Sequence, residues 1–149
     1  MTIVTDTFIL RIINFDEIVN DILKNFRKNI SEPPTCERDV QKHFRNFYDV
    51  IEYNFLKEKE RVTYCGKDFV PDFTYLILNM AIEIKFVNTK EKIKKIMEEM
   101  VTDIAAYSQK WKYILFIVYD KGKIRNVDRF TREFHHDNDN KIRCIVIKE

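Results

Sequence analysis

The run YILFIVY, Tyr113–Tyr119, holds no charged residue. It falls far short of the ~18 apolar residues that a membrane-crossing helix needs. A continuous apolar run of this length is instead a strand covered on both faces. A chain containing such a strand must place other elements above and below it, and the remaining sequence supplies them as helices. Phe15, Ile18, Val19, Ile22, Leu23 and Phe26 recur at helical spacing, behind a capping box of Asn14 and Glu17. Val40, Phe44, Phe47, Ile51 and Phe55 form a second apolar stripe. Ile93, Ile96, Met97, Met100, Ile104 and Tyr107 form a third, within Lys90–Lys110. A short helix is expected around Val127–Phe134. RVTYC, DFVPDFTYLI and MAIEIKFV read as strands ahead of the third helix, and IRCIVIK as a strand closing the chain. The expected fold is α/β, a mixed four- to five-stranded sheet flanked by helices, with a core in the order α-β-β-β-α-β.

With 149 residues the chain fits one core-forming domain. SEPP, Ser31–Pro34, is its one linker-like stretch. It divides an N-terminal helical segment, 1–34, from a main domain, 35–149. The segment either covers the core or sits at a dimer interface. Hydrophobic residues at 45% and charged residues at 34% describe a globular chain rather than a disordered one. A net charge of +2 is too small to attract nucleic acid through bulk electrostatics, so any such role rests on a local patch. Cys36, Cys65 and Cys144 are odd in number and include no CxxC, which argues against a disulfide framework and for a reducing compartment. Asp6, Asp16 and Glu17 lie among the first apolar residues, so the start reads poorly as a signal peptide, and a cytoplasmic location with no membrane partner is expected. Two glycines leave no room for a Gly-rich phosphate loop.

Chemistry concentrates in PDFTYLILNMAIEIKF, Pro71–Phe86, where Asp72, Glu83 and Lys85 interrupt an apolar hairpin. A two-residue turn at Leu78 and Asn79 pairs Ile77 with Met80, Thr74 with Glu83 and Asp72 with Lys85. Glu83 and Lys85 then share a face with Asp72, while Ile82, Ile84 and Phe86 point the other way. Neighbouring carboxylates repel unless neutralised, and a hard divalent cation does this with one or two carboxylates and further oxygens. The Ile84 backbone carbonyl lies between the two acidic contacts as a further ligand. Lys85 beside the ion can orient or help deprotonate a water and stabilise phosphate charge. The plain alternative is a same-face E-x-K ion pair at a sheet edge. A second D-x-K, Asp139–Lys141, falls in a polar loop with His135 and His136 and reads as solvated. Lys90, Lys92, Lys94 and Lys95 open the third helix, either as a phosphate-tracking rim or as a solvated face.

VPDF followed by AIEIKF resembles the PD-(D/E)XK signature of the restriction-endonuclease-like nuclease superfamily. ERDVQ, YCGKDFVPDF, IEIKF, DIAAY and LFIVYD occur in the order of its DpnII/MboI-type branch, from Glu37 to the C-terminus. The resemblance implies a metal-dependent nuclease domain over 35–149 with Asp72, Glu83 and Lys85 as its catalytic set and Mg²⁺ or Mn²⁺ on Asp72 and Glu83. It also implies a helical carboxylate, Glu37, at the metal, with Asp103 and Tyr107 in support. Val70 departs from the pattern, which has a basic residue there. On the residues alone, Glu37 lies on the inward stripe of its helix, yet an N-terminal Glu also suits the helix dipole. Asp103, between Met100 and Tyr107, is equally a supporting group or a boundary residue. The expected function is cleavage of DNA in restriction or defence, with target choice supplied by a homodimer, a partner protein or nucleic-acid structure. The alternatives are a non-catalytic nucleic-acid-binding scaffold or an RNase using the same site.

Overall fold

The structure, a computed structural model, describes residues 14–51, 55–58, 60–135 and 140–149. Asp6, His136 and Asp139 lie outside the described residues. Helix α1, Phe15–Asn25, begins where Asn14 Oδ1 accepts from the Glu17 N–H at 2.9 Å, and it buries Phe15, Ile18, Val19 and Ile22. Helix α2, Glu37–Ile51, buries Val40, Phe44, Phe47 and Tyr48. Then come β1 (Leu56–Lys57), β2 (Val62–Tyr64), β3 (Lys67–Phe69), β4 (Phe73–Tyr75) and β5 (Met80–Val87). Helix α3, Glu91–Tyr107, crosses to β6 (Tyr113–Asp120), and α4 (Val127–Arg132) leads to β7 (Ile142–Lys148).

The main sheet runs β1-β4-β5-β6-β7, and β2 with β3 forms a separate hairpin. β5, β6 and β7 are parallel, so helices must carry the chain back between them, while β1, β4 and β5 are antiparallel neighbours. Residues Ile114–Asp120 of β6 are all buried, as the unbroken apolar run requires. Ile82, Ile84, Phe86, Leu115, Ile117 and Tyr119 pack against α1 and α2 on one face. Ala81, Val87, Phe116 and Val118 pack against α3 and α4 on the other. All three cysteines are free. No helix among the described residues is long and apolar enough to cross a membrane.

Three expectations need correction. DFVPDFTYLI is not one strand. Pro71, which has no N–H to give a ladder, marks the break between β3 and β4. β3 turns back on β2 through Cys65 and Gly66, both at positive φ. The hairpin register is also different. Leu76–Leu78 form a 3₁₀ turn and Asn79 adopts a left-handed φ of 51°, so Tyr75 pairs with Met80 and Thr74 with Ala81. Asn tolerates that conformation better than any other residue of the turn. The slip is two residues, which preserves the face of every side chain. Asp72 therefore comes beside Glu83 rather than opposite Lys85. The third correction is Phe55, expected on the second helical stripe. The helix ends at Ile51, and Phe55 instead directly precedes the two-residue edge strand β1, where it is buried against Phe44.

Candidate active site

The sheet opens where β4 begins. Its last pair with β5 is Phe73 and Ile82, so beyond it the β5 backbone has no strand on that side. Asp72 fills the gap. Its Oδ2 accepts from the Ile84 N–H at 2.8 Å, and its own N–H donates to Glu83 Oε1 at 3.2 Å. The two acids are thus held together, directly by the Asp72 N–H on Glu83 and indirectly through the N–H of Ile84, the residue after Glu83. A strand residue turns its N–H and C=O to the same side, so the Ile84 carbonyl also faces this open edge. Tyr107, from the last turn of α3, donates its hydroxyl to Glu83 Oε1 at 3.1 Å.

Lys85 lies two residues along the same face and is only 6% exposed. Its ammonium sits 3.5 Å from Glu83 Oε2, 3.3 Å from Glu99 Oε2 and 3.2 Å from Asp103 Oδ2. Burial opposes the charge on Lys85, but the surrounding Glu83, Asp103, Glu99 and Glu37 outweigh it and raise its pKa. Lys85 is accordingly an ammonium, equipped to donate and to stabilise negative charge rather than to take a proton from water.

The acids are raised as well, which in their case favours the neutral form. Burial pushes Asp72 up to about 7, against the Ile84 N–H, with Glu37 adding repulsion. Burial and then the Asp72 charge raise Glu83 well above the carboxylate range, opposed by Lys85 and Tyr107. Burial raises Glu37 and Asp103 as well, and Lys85 opposes both shifts. Burial and the adjacent Glu83 raise Tyr107, which keeps it a donor. The protein therefore holds a group of acids whose negative charge one lysine does not fully offset.

That donor set fits a hard divalent cation. It offers carboxylate oxygens and a backbone carbonyl, and a cation would relieve the repulsion that raises these pKa values. Among the described residues, no three His, Cys, Asp or Glu side chains stand in metal-binding geometry, so the set consists of the Asp72–Glu83 pair and its neighbours.

Asp72, Glu83, Lys85, Asp103 and Tyr107 are brought together, and Glu37 acts electrostatically on both Asp72 and Lys85. A cleft of about 390 Å³ opens over Glu83, Lys85, Asp103 and Tyr107, walled by Lys67, Asp68, Phe69 and Val70. A smaller one beside it, about 190 Å³, is lined by Glu37, Lys92, Lys95 and Glu99 among others. Lys92 and Lys95 thus flank the site, whereas Lys90 and Lys94 line neither cleft. Two residues escaped the sequence reading. Glu99 stands four positions before Asp103 and eight before Tyr107, a helical stripe that was open to notice. Lys67 lines the cleft beside Val70, and only the β2–β3 hairpin brings it there.

A family model described as REase_DpnII-MboI matches residues 17–149, from α1 to the C-terminus, and so spans every residue of the site. It is the branch that VPDF and IEIKF resemble. No curated protein and no solved structure matches the chain.

Proposed function

Because this chain belongs to the DpnII–MboI restriction endonuclease family, we propose that it is a Mg²⁺- or Mn²⁺-dependent endonuclease that hydrolyses phosphodiester bonds in DNA, in defence against foreign DNA. The observation that carries this reading is the interlock of Asp72 and Glu83 beside the Lys85 ammonium. Asp72, Glu83 and the Ile84 carbonyl would hold the ion, with Glu37 close enough to contribute charge. A divalent cation held there supplies charge neutralisation and an acidified water.

The chain's own groups do the rest. Tyr107 fixes one Glu83 oxygen and leaves the other toward Lys85. Glu99 and Asp103 hold the Lys85 ammonium in place, where it orients the attacking water and stabilises charge developing on the phosphoryl oxygens. Residues 35–149 carry this machinery, and the segment 1–34 contributes α1 as cover for the opposite face. Target choice comes from a second copy of the chain or from a partner protein.

The test offers plasmid, single-stranded DNA and RNA to the purified protein, with Mg²⁺, Mn²⁺ or a chelator. Metal-dependent cutting of DNA is expected. A second readout is thermal. Metal at ~100 times Kd adds about 2.7 kcal/mol, several degrees in Tm, to the wild type and little to Asp72→Asn. Ionic strength must be matched, because screening alone relaxes the repulsion. Equal responses from the two proteins would remove Asp72 from the metal site.

A further inference from the structure

On the outer face of α2 a cleft of about 350 Å³ is lined by Arg38, Gln41, Lys42, Arg45, Asn46 and Lys57. Arg38, Lys42 and Arg45 are spaced four and three apart, so they share one side of the helix. Val40, Phe44 and Phe47 occupy the buried side. Lys57 comes from β1. Asp39 also lines the cleft, one anion against the four cations, and makes no ion pair with them. Its carboxylate is taken by the Thr35 N–H at 2.9 Å and the Thr35 hydroxyl at 2.7 Å.

Five cations outside the active site pair with carboxylates: Arg61 with Asp68, Lys110 with Glu60, Lys121 with Glu149, Arg143 with Asp16 and Lys148 with Asp120. Among the described residues, no ion pair engages Arg38, Lys42, Arg45 or Lys57. Four unpaired like charges on one small surface repel, in a chain whose net charge is only +2. A polyanion is the partner that turns this arrangement from a penalty into an attraction.

The strip adjoins the active site at Arg38 and at Lys57. Arg38 follows Glu37, whose charge bears on Asp72. Lys57 precedes Glu58, whose N–H donates to the Asp72 carbonyl at 3.1 Å and whose charge also bears on Asp72. From Arg38 to Arg45 the helix rises ~10 Å. A strip of that length can meet more than one phosphate of a single strand.

Resting on the nuclease reading above, we infer that this face of α2, with Lys57, is the track on which the phosphate backbone of duplex DNA lies as it leaves the active site. Its contacts are to phosphate, so they set position and affinity and carry no sequence information. The nucleic-acid surface then extends from Lys92 and Lys95, which share a cleft with Glu37, onto the outer face of α2.

The experiment measures binding of a labelled DNA duplex to the full chain under chelation, across a series of salt concentrations. Each lost phosphate contact lowers the slope of log affinity against log salt by about one. The double variant Lys42→Ala/Arg45→Ala should lower it by about two and weaken binding at every sequence tested. Both positions are exposed on a helix, where Ala is well tolerated. Lys24→Ala, an exposed lysine of α1, should leave the slope unchanged. If the double variant keeps the wild-type slope, or Lys24→Ala lowers it equally, the track is refuted while wild-type cleavage leaves the nuclease reading standing. A wild type that neither binds nor cuts DNA overturns both.

Discussion

Lys85 serves three carboxylates at once, at 3.2, 3.3 and 3.5 Å. Lys85→Ala should lower cleavage by about 10²-fold, as expected when a group acting on transition-state charge is lost. It should also destabilise the metal-free protein by about 2 kcal/mol, less than a fully buried pair because Glu99 is partly solvated. Denaturation under chelation reads the second effect, and unchanged stability would mean that the lysine does not offset these acids. Tyr107→Phe removes only the hydrogen bond to Glu83 Oε1, so activity should fall by about tenfold. A loss as deep as that of Lys85→Ala would place the tyrosine in the chemistry itself. Asp72 titrates near 7 in the folded chain against ~3.9 unfolded. Between those values the folded state keeps a proton that the unfolded state has lost, so stability falls as pH rises through that window and levels off above it. The raised Glu37, Glu83 and Asp103 act in the same direction. The chelated wild type should therefore melt several degrees lower at pH 8 than at pH 5.5, with a smaller drop in Asp72→Asn, whose amide still accepts from Ile84. Equal drops would show that Asp72 is not a strained acid.

Helix α2 is the element that links core and site. Its inner face holds Phe44, whose ring meets Phe26, Phe47, Tyr48, Phe55 and Phe73 at centroid distances of 5.0–6.3 Å. Its first residue, Glu37, bears electrostatically on Asp72, and its outer face carries the cationic strip. Phe44→Ala should lower stability by about 4 kcal/mol, because it leaves a cavity in contact with α1, β4 and α2 together. Urea unfolding measures this, and a loss below 1 kcal/mol would mean that the aromatic cluster closes over the gap. The β4–β5 connection shows the same dependence on local conformation. Its 3₁₀ turn sets the register that brings Asp72 to Ile84, and Asn79 anchors it by accepting from the N–H groups of Lys112 and Tyr113 at 2.8 and 3.2 Å.

Across the whole molecule two apolar clusters share β5 and β6, one on each face. Neither cluster can dissolve without stripping cover from the strands that support the other. Unfolding should therefore be a single cooperative transition. Trp111, the one tryptophan, lies in the α3-side cluster and reports on it by fluorescence, while far-UV circular dichroism reports on all helices. The two curves should coincide. An earlier dichroism transition would show α1 and α2 melting from a surviving sheet.

Much of this molecule was legible along the chain because apolar periodicity is a local property. The alternation in MAIEIKFV put Glu83 and Lys85 on the face away from Ile82, Ile84 and Phe86, and the two-residue slip in register left that face unchanged. The unbroken run in β6 demanded cover on both sides, and the capping pair Asn14 and Glu17 marked the start of α1. Tertiary structure alone decided the rest. The register depended on a left-handed Asn79, which no spacing of apolar residues encodes. Lys67 reached the cleft through a separate hairpin, and Lys57 joined Arg38, Lys42 and Arg45 only once β1 lay beside α2. The charge of Lys85 and the raised acids around it depend on burial and on charges from four separate elements. Such sums run over distances in space, and the order of residues does not contain them.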